Sequence, residues 1–155
     1  MTATTLPRPW RNRLHAERGF ALVELLVVML IIGILAAIAL PAFLNHKKTG
    51  DDADAKANAR NLAAVVELCF APHEDFRDCD TAAELEDTSI PYGTNPGQAS
   101  VTAATRLSYT IVATSRANTG GNHSYTITRD LSGVTGRTCV AGPGNDQGAC
   151  RGGVW

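Results

Sequence analysis

Polar and apolar positions divide this chain sharply. From Phe20 to Leu44, FALVELLVVMLIIGILAAIALPAFL, every position is apolar, Gly or Pro except Glu24. About 20 apolar residues span the hydrocarbon core of a bilayer as a helix, so the run predicts a single membrane pass. Beyond Leu44 the chain turns to Ala, Lys, Arg, Asp and Leu, good helix formers apart from Asp. Leu62, Val65, Val66, Cys69 and Phe70 recur at spacings of three and four, which makes one apolar face. Pro72 ends that pattern. The two stretches predict one helix from about residue 20 to 71, bent or broken near Pro41 and near Gly50. Its first half is apolar all round; its second half is amphipathic and needs a partner surface.

Residues 72–98 read as loop, with Thr81-Ala82-Ala83-Glu84 placed to cap a short helical turn. Pro91, Gly93, Pro96 and Gly97 argue against a regular element after it. From Ala99 the pattern alternates. Candidate strands are 99–105, 107–116, 123–130 and 133–140, with Leu107, Tyr109, Ile111 and Ala113 on one face and Tyr125 and Ile127 on another strand's matching face. Asn118-Thr119-Gly120-Gly121 and Leu131-Ser132-Gly133 look like hairpin turns. The predicted class is α+β: a long N-terminal helix whose second half packs on a three- or four-stranded antiparallel sheet. The expected organisation is 1–19 polar leader, 20–44 membrane half of the helix, 45–71 amphipathic half, and 72–155 globular head.

Charge and cysteines refine this. Residues 20–155 hold ten Lys or Arg against fourteen Asp or Glu, a balance that does not indicate nucleic acid as a partner. Cys69, Cys79, Cys139 and Cys150 form no C-x-x-C pair, so no zinc or thioredoxin-type site is expected. An even count points to disulfides and an oxidising compartment. Three pairings are open; Cys69–Cys79 and Cys139–Cys150 are preferred, because each closes a short polar loop with turn formers inside. Basic residues flank the apolar run on both sides, Arg8, Arg11, Arg13 and Arg18 before it and Lys47, Lys48, Lys56 and Arg60 after it. The positive-inside rule is therefore nearly tied, and the cysteines place the C-terminal side outside the cytoplasm.

Glu24 is the anomaly of the run. A carboxylate costs roughly 2.5–3.5 kcal/mol at the centre of a spanning helix, less near its end. It either snorkels to the headgroups or serves a function with a cationic partner. Its setting, Arg18-Gly19-Phe20-Ala21-Leu22-Val23-Glu24-Leu25, followed by Gly33 and Pro41, resembles the prepilin signal of type IV pilins and the related pseudopilins. The resemblance implies cleavage after Gly19 by a prepilin peptidase, N-methylation of Phe20, and an assembly role for Glu24, Gly33 and Pro41. It also implies a homo-oligomeric helical fibre, an assembly platform as partner, and a leader in the cytoplasm. Family pilins carry a C-terminal disulfide-bounded loop, which Cys139 and Cys150 fit; the pair Cys69/Cys79 is a departure.

Catalytic patterns are not found. His73-Glu74-Asp75-Phe76-Arg77 opens like H-E-x-x-H but has Arg at the second His. No G-x-S-x-G or P-loop occurs. Asp51, Asp52 and Asp54 lack the Gly and Glu of an EF-hand and read as a solvated helix face. His15, His46, His73 and His123 are scattered and read as surface residues. Asn122-His123-Ser124 is a glycosylation-type sequon of low specificity. No cofactor and no metal are expected, and the chain reads as a structural subunit. The alternatives are a pseudopilin of a secretion or competence machine and, more remotely, a signal-anchored enzyme or sensor.

Overall fold

The computed structural model describes residues 21–85, 89–118, 122–145 and 147–155. A helix, α1, runs from Leu22 to His73. Four strands follow: β1 (Ala99–Ala104), β2 (Tyr109–Asn118), β3 (Asn122–Arg129) and β4 (Thr135–Val140). The chain divides into two compact units, one ending at Ala39 and the other spanning Leu40–Trp155. The leader residues, Gly19 and Phe20 lie outside the described residues, as does most of the predicted turn at 118–121.

Of the two expected outcomes, bent or broken, the helix is not broken: α1 continues through Gly33, Pro41 and Gly50. A Pro inside a helix removes one hydrogen bond and crowds one carbonyl.

In the second unit, Asp52, Ala55, Ala59, Leu62 and Val66 form the buried stripe of α1, alternating three and four residues apart as one helix face requires. Val65, Cys69 and Phe70 pack at its margin. This stripe shares one core with Tyr109, Ile111, Ala113, Tyr125 and Ile127 of the sheet and with Phe76, Leu85 and Ile90 of the connection. Each fully buried Leu, Ile or Val contributes roughly 1.5–3 kcal/mol relative to exposure. The Ala residues keep the stripe shallow, so the sheet approaches closely.

The sheet is an antiparallel meander in the order β1-β2-β3-β4. Its register sets Ile111 opposite Ile127 and Ala113 opposite Tyr125, and Tyr125 opposite Cys139. Those residues therefore share the face turned to α1. Strand limits differ from the expected ones by one or two residues. Leu107 falls in the turn closed by Thr105 N–H donating to the Ser108 carbonyl (2.8 Å), and it is exposed. The β3–β4 turn is organised by Asp130, whose carboxylate accepts from Ser132 N, Ser132 Oγ and Val134 N at 2.9, 2.6 and 2.9 Å.

Both sheet edges are partly covered by the chain itself. At β1, Tyr92 bridges to Ala99, and Ala99 N–H donates to the Pro91 carbonyl. At β4, Cys139 N–H donates to the Gly153 carbonyl (2.8 Å), and the Trp155 indole N–H to that of Thr138 (2.8 Å). In the connection, Thr81 and Glu84 form the expected reciprocal cap: Thr81 N–H donates to Glu84 Oε2 (3.0 Å) and Glu84 N–H to Thr81 Oγ1 (3.4 Å).

Candidate functional site

The apolar stretch of α1 offers its whole surface. Leu22, Val23, Leu25 through Ile32, Ile34, Leu35, Ile38, Leu40, Phe43 and Leu44 are all exposed, and none of the most apolar 18-residue window is buried. Among the described residues this is the helix long and apolar enough to cross a membrane. Water does not tolerate such a surface, so lipid or other apolar helices must cover it.

Glu24 sits in the first turn of α1, where the positive end of the helix dipole favours a carboxylate. It is exposed, and its N–H donates to the Ala21 carbonyl at 2.9 Å. A Cβ added at Gly33 would meet nothing within 4 Å, so this position leaves an open notch one turn from Ala37. Nine residues separate Glu24 from Gly33, two and a half helical turns. The carboxylate and the notch therefore lie on opposite sides of the helix. Pro41 lies within the same element.

Two disulfides staple the head. Cys69 joins Cys79, tying the last turns of α1 to the short 3-10 turn Phe76–Asp78. Cys139 joins Cys150, tying the tail to β4. Cys69, His73 and Cys79 bring three potential metal donors within 4.8 Å of one another. The two sulfurs are bonded to each other, however, and a disulfide offers no thiolate to a metal.

A buried polar cluster holds the tail, and sequence reasoning missed it. Asp52, read as part of a solvated face, is 1% exposed, and His123, read as a surface residue, is also 1% exposed. The His123 Nδ1 lies 3.1 and 3.2 Å from the two Asp52 carboxylate oxygens. Beside them the Tyr125 hydroxyl and the Lys56 ammonium donate to the Gly148 carbonyl at 2.8 and 3.0 Å. Burial, and then the charge of Asp52, push the Tyr125 hydroxyl above its ordinary range. Burial pulls Lys56 down, against the attraction of Asp52. At the other end of the helix face, the Tyr109 hydroxyl donates to Glu67 (3.1 Å), and Arg129 lies 3.5 Å from the same carboxylate oxygen. Asp52 and His123 are enclosed and paired with each other, and the cluster ties the tail to α1 and β3.

Comparison with known proteins bears on the N-terminal segment first. The family model for the prokaryotic N-terminal methylation motif matches residues 14–40. The chain is similar to the type IV major pilin protein PilA of Myxococcus xanthus, with 39% identity over 62 residues, 40% of this chain and 28% of that protein. It is 29% identical over 110 residues to a type IV major fimbrial protein FimA of Dichelobacter nodosus, covering 66% of this chain and 68% of the relative. It is 39% identical over 64 residues to prepilin peptidase-dependent protein D of Escherichia coli, covering 41% and 44%. The chain spans 28% and 40% of the length of the first two pilin and fimbrial relatives it matches. No solved structure matches.

Proposed function

We infer that this chain, for which the methylation motif and the pilin and fimbrial relatives support a type IV pilin, is a structural subunit polymerised through α1 into a surface fibre. The observation that carries the reading is the apolar stretch of α1, fully exposed around a single carboxylate at Glu24. Residues 1–19 act as a leader removed after Gly19 by a prepilin peptidase, and Phe20 becomes the methylated N-terminus. Before assembly the subunit crosses the membrane once, with its head outside the cytoplasm. An assembly platform then delivers it to the fibre, where the roles open to it include adhesion, motility and DNA uptake.

Cleavage would create an α-amine on Phe20, largely cationic at neutral pH. In a fibre core as apolar as lipid, an unpaired charge is costly and a paired one far less so. Glu24 supplies the pairing charge, and an amine of a neighbouring subunit is the partner that fixes axial register between helices. The opposite placement of Gly33 supports more than one neighbour per helix, since small residues allow close helix approach. Gly33–Pro41 is the stretch suited to loosen during packing, because Pro41 already lacks one helical hydrogen bond. The similarity to the prepilin peptidase-dependent protein also fits the second reading, a pseudopilin in a short periplasmic fibre.

The test is a fractionation. Wild type, Gly19→Val and Glu24→Val are compared for N-terminal mass, membrane content and fibres sheared from cells. Gly19→Val is expected to remain uncut in the membrane. Glu24→Val is expected to be cut and inserted but absent from fibres. Wild-type fibre yield from Glu24→Val would show the carboxylate to be a passenger at the membrane surface, and an uncut wild-type chain would end the pilin reading.

A further inference from the structure

Cys69 and His73 stand four residues apart on the last turns of α1, so their side chains share one face. The same spacing puts the two histidines of an H-E-x-x-H helix on one zinc ion. The short 3-10 turn after the helix brings Cys79 to that face. A ring nitrogen of His73 and the two sulfurs all lie within 4.8 Å of one another. Zinc, with Zn–S of about 2.3 Å and Zn–N of about 2.0–2.1 Å, holds the corners of its tetrahedron roughly 3.5–3.8 Å apart. Once the S–S bond is open, turning the cysteine side chains about Cα–Cβ reaches those separations, since their Cα atoms are only 5.9 Å apart.

The histidine is already oriented. Its Nδ1 lies 2.8 Å from the Cys69 carbonyl oxygen. A carbonyl only accepts, so Nδ1 carries the proton and Nε2 keeps its lone pair. A backbone carbonyl on the second ring nitrogen is the usual support of a metal-bound histidine. His73 is exposed, so this bond is not there to satisfy a buried ring. Cys69 and His73 border an open cavity of about 620 Å³, together with Val65, Leu68, Asp78 and Glu84. The two carboxylates favour a cation there, and one of them or a water completes the fourth position. Cys69 is half-buried, whereas Cys139 and Cys150 are both buried. Reductant therefore reaches Cys69–Cys79 first.

We propose that this disulfide is interchangeable with a metal clip: in the thiol form of the head, Cys69, His73 and Cys79 bind zinc. The conversion is a two-electron exchange with a dithiol. One thiolate of the dithiol attacks the Cys69 sulfur, the S–S bond breaks, and Cys79 leaves as a thiolate that takes up a proton. The second thiol of the reductant then displaces Cys69 and closes its own disulfide. The protein is left with two thiols, and each gives its proton to water as zinc binds. Thiolate and imidazole donors suit zinc and do not suit magnesium or calcium. Staple and clip make the same tie between the last turns of α1 and the connection. The head thus keeps that tie when the S–S bond is absent.

The test uses the full chain in detergent. It is reduced with dithiothreitol, freed of reductant by anaerobic gel filtration, and titrated with Co²⁺ as a coloured substitute for zinc. The expected result is thiolate-to-cobalt charge transfer in the near ultraviolet with the visible bands of a tetrahedral site, both displaced by equimolar Zn²⁺. The unreduced chain is expected to show neither. With zinc bound, Cys69 and Cys79 are expected to resist alkylation by iodoacetamide, read by peptide mass spectrometry. His73→Ala, at an exposed position, is expected to weaken zinc by about a hundredfold in competition with a chromophoric chelator. Absence of the charge-transfer band in the reduced wild type would overturn the proposal. So would an unchanged zinc affinity in His73→Ala, or protection that falls on Cys139 or Cys150 instead. Where reduction unfolds the head, zinc is expected to restore its near-ultraviolet circular dichroism, and failure to restore it would equally overturn the clip.

Discussion

Replacing Gly148 by Ala is the sharpest probe of what holds the head together. Gly148 has φ of 59°, a backbone that costs an L-residue roughly 1–2 kcal/mol. An added Cβ would also fall well inside contact distance of Asp52 Oδ2 and 2.7 Å from the Tyr125 hydroxyl. Asp52 is 1% exposed and cannot swing aside without leaving His123. Leaving a buried carboxylate short of its hydrogen-bond partner costs about 3–5 kcal/mol. Gly152 supplies the control: its φ is 57°, and a Cβ there meets nothing within 4 Å. Gly152→Ala should therefore cost only the backbone term, while Gly148→Ala should cost about 3–5 kcal/mol more. For a head of this size, about 4 °C of Tm follows each kcal/mol. Thermal unfolding of the detergent-solubilised full chain, followed by near-ultraviolet circular dichroism, should place Gly148→Ala about 12–20 °C below Gly152→Ala. Equal losses for the two variants would refute the argument that the tail is locked through Asp52, His123 and Tyr125.

Three further outcomes are expected. Pro41→Ala should insert and be processed normally while altering fibre yield or extensibility, and unchanged fibres would favour a plain membrane anchor. Cys139→Ser with Cys150→Ser should lower head stability by about 3 kcal/mol in the chain-entropy account, read as a drop in Tm; an unchanged Tm would show that the polar cluster alone secures the tail. Asp75 is held at about 2 by the Arg77 side chain. Because the folded value is depressed, its contribution is present above the unfolded carboxylate range near pH 4 and fades as pH falls through about 2. A carboxyl carbon titration by NMR with its midpoint near 4 would contradict that pairing.

The elements that depend on short-range pattern were legible in the sequence. The apolar run, the three- and four-residue spacing from Leu62 to Phe70, the alternation in Tyr109–Ala113 and the Thr81–Glu84 cap each follow from residues a few positions apart. The polar cluster was not, because Asp52 and His123 are 71 residues apart and each alone reads as a solvated residue. Only the register that sets β3 against α1 makes them partners. The buried stripe also extends to Ala55 and Ala59, which sequence pattern scores as neutral: their value lies in being small where a sheet must approach. The tail read as irregular for a similar reason. Its Gly residues mark turns, but nothing local reveals that Gly148 is pressed against a carboxylate.

The covering of the sheet edges has a consequence for crowding. An open strand edge is a template for another chain, and at high local concentration it invites sheets to merge into aggregates. Here Pro91 and Tyr92 occupy hydrogen-bonding positions beside β1, and Gly153 and Trp155 do so beside β4. Heads brought side by side in great number therefore find no continuous row of free N–H and carbonyl groups to extend. Even at high local concentration, each sheet remains the property of its own chain.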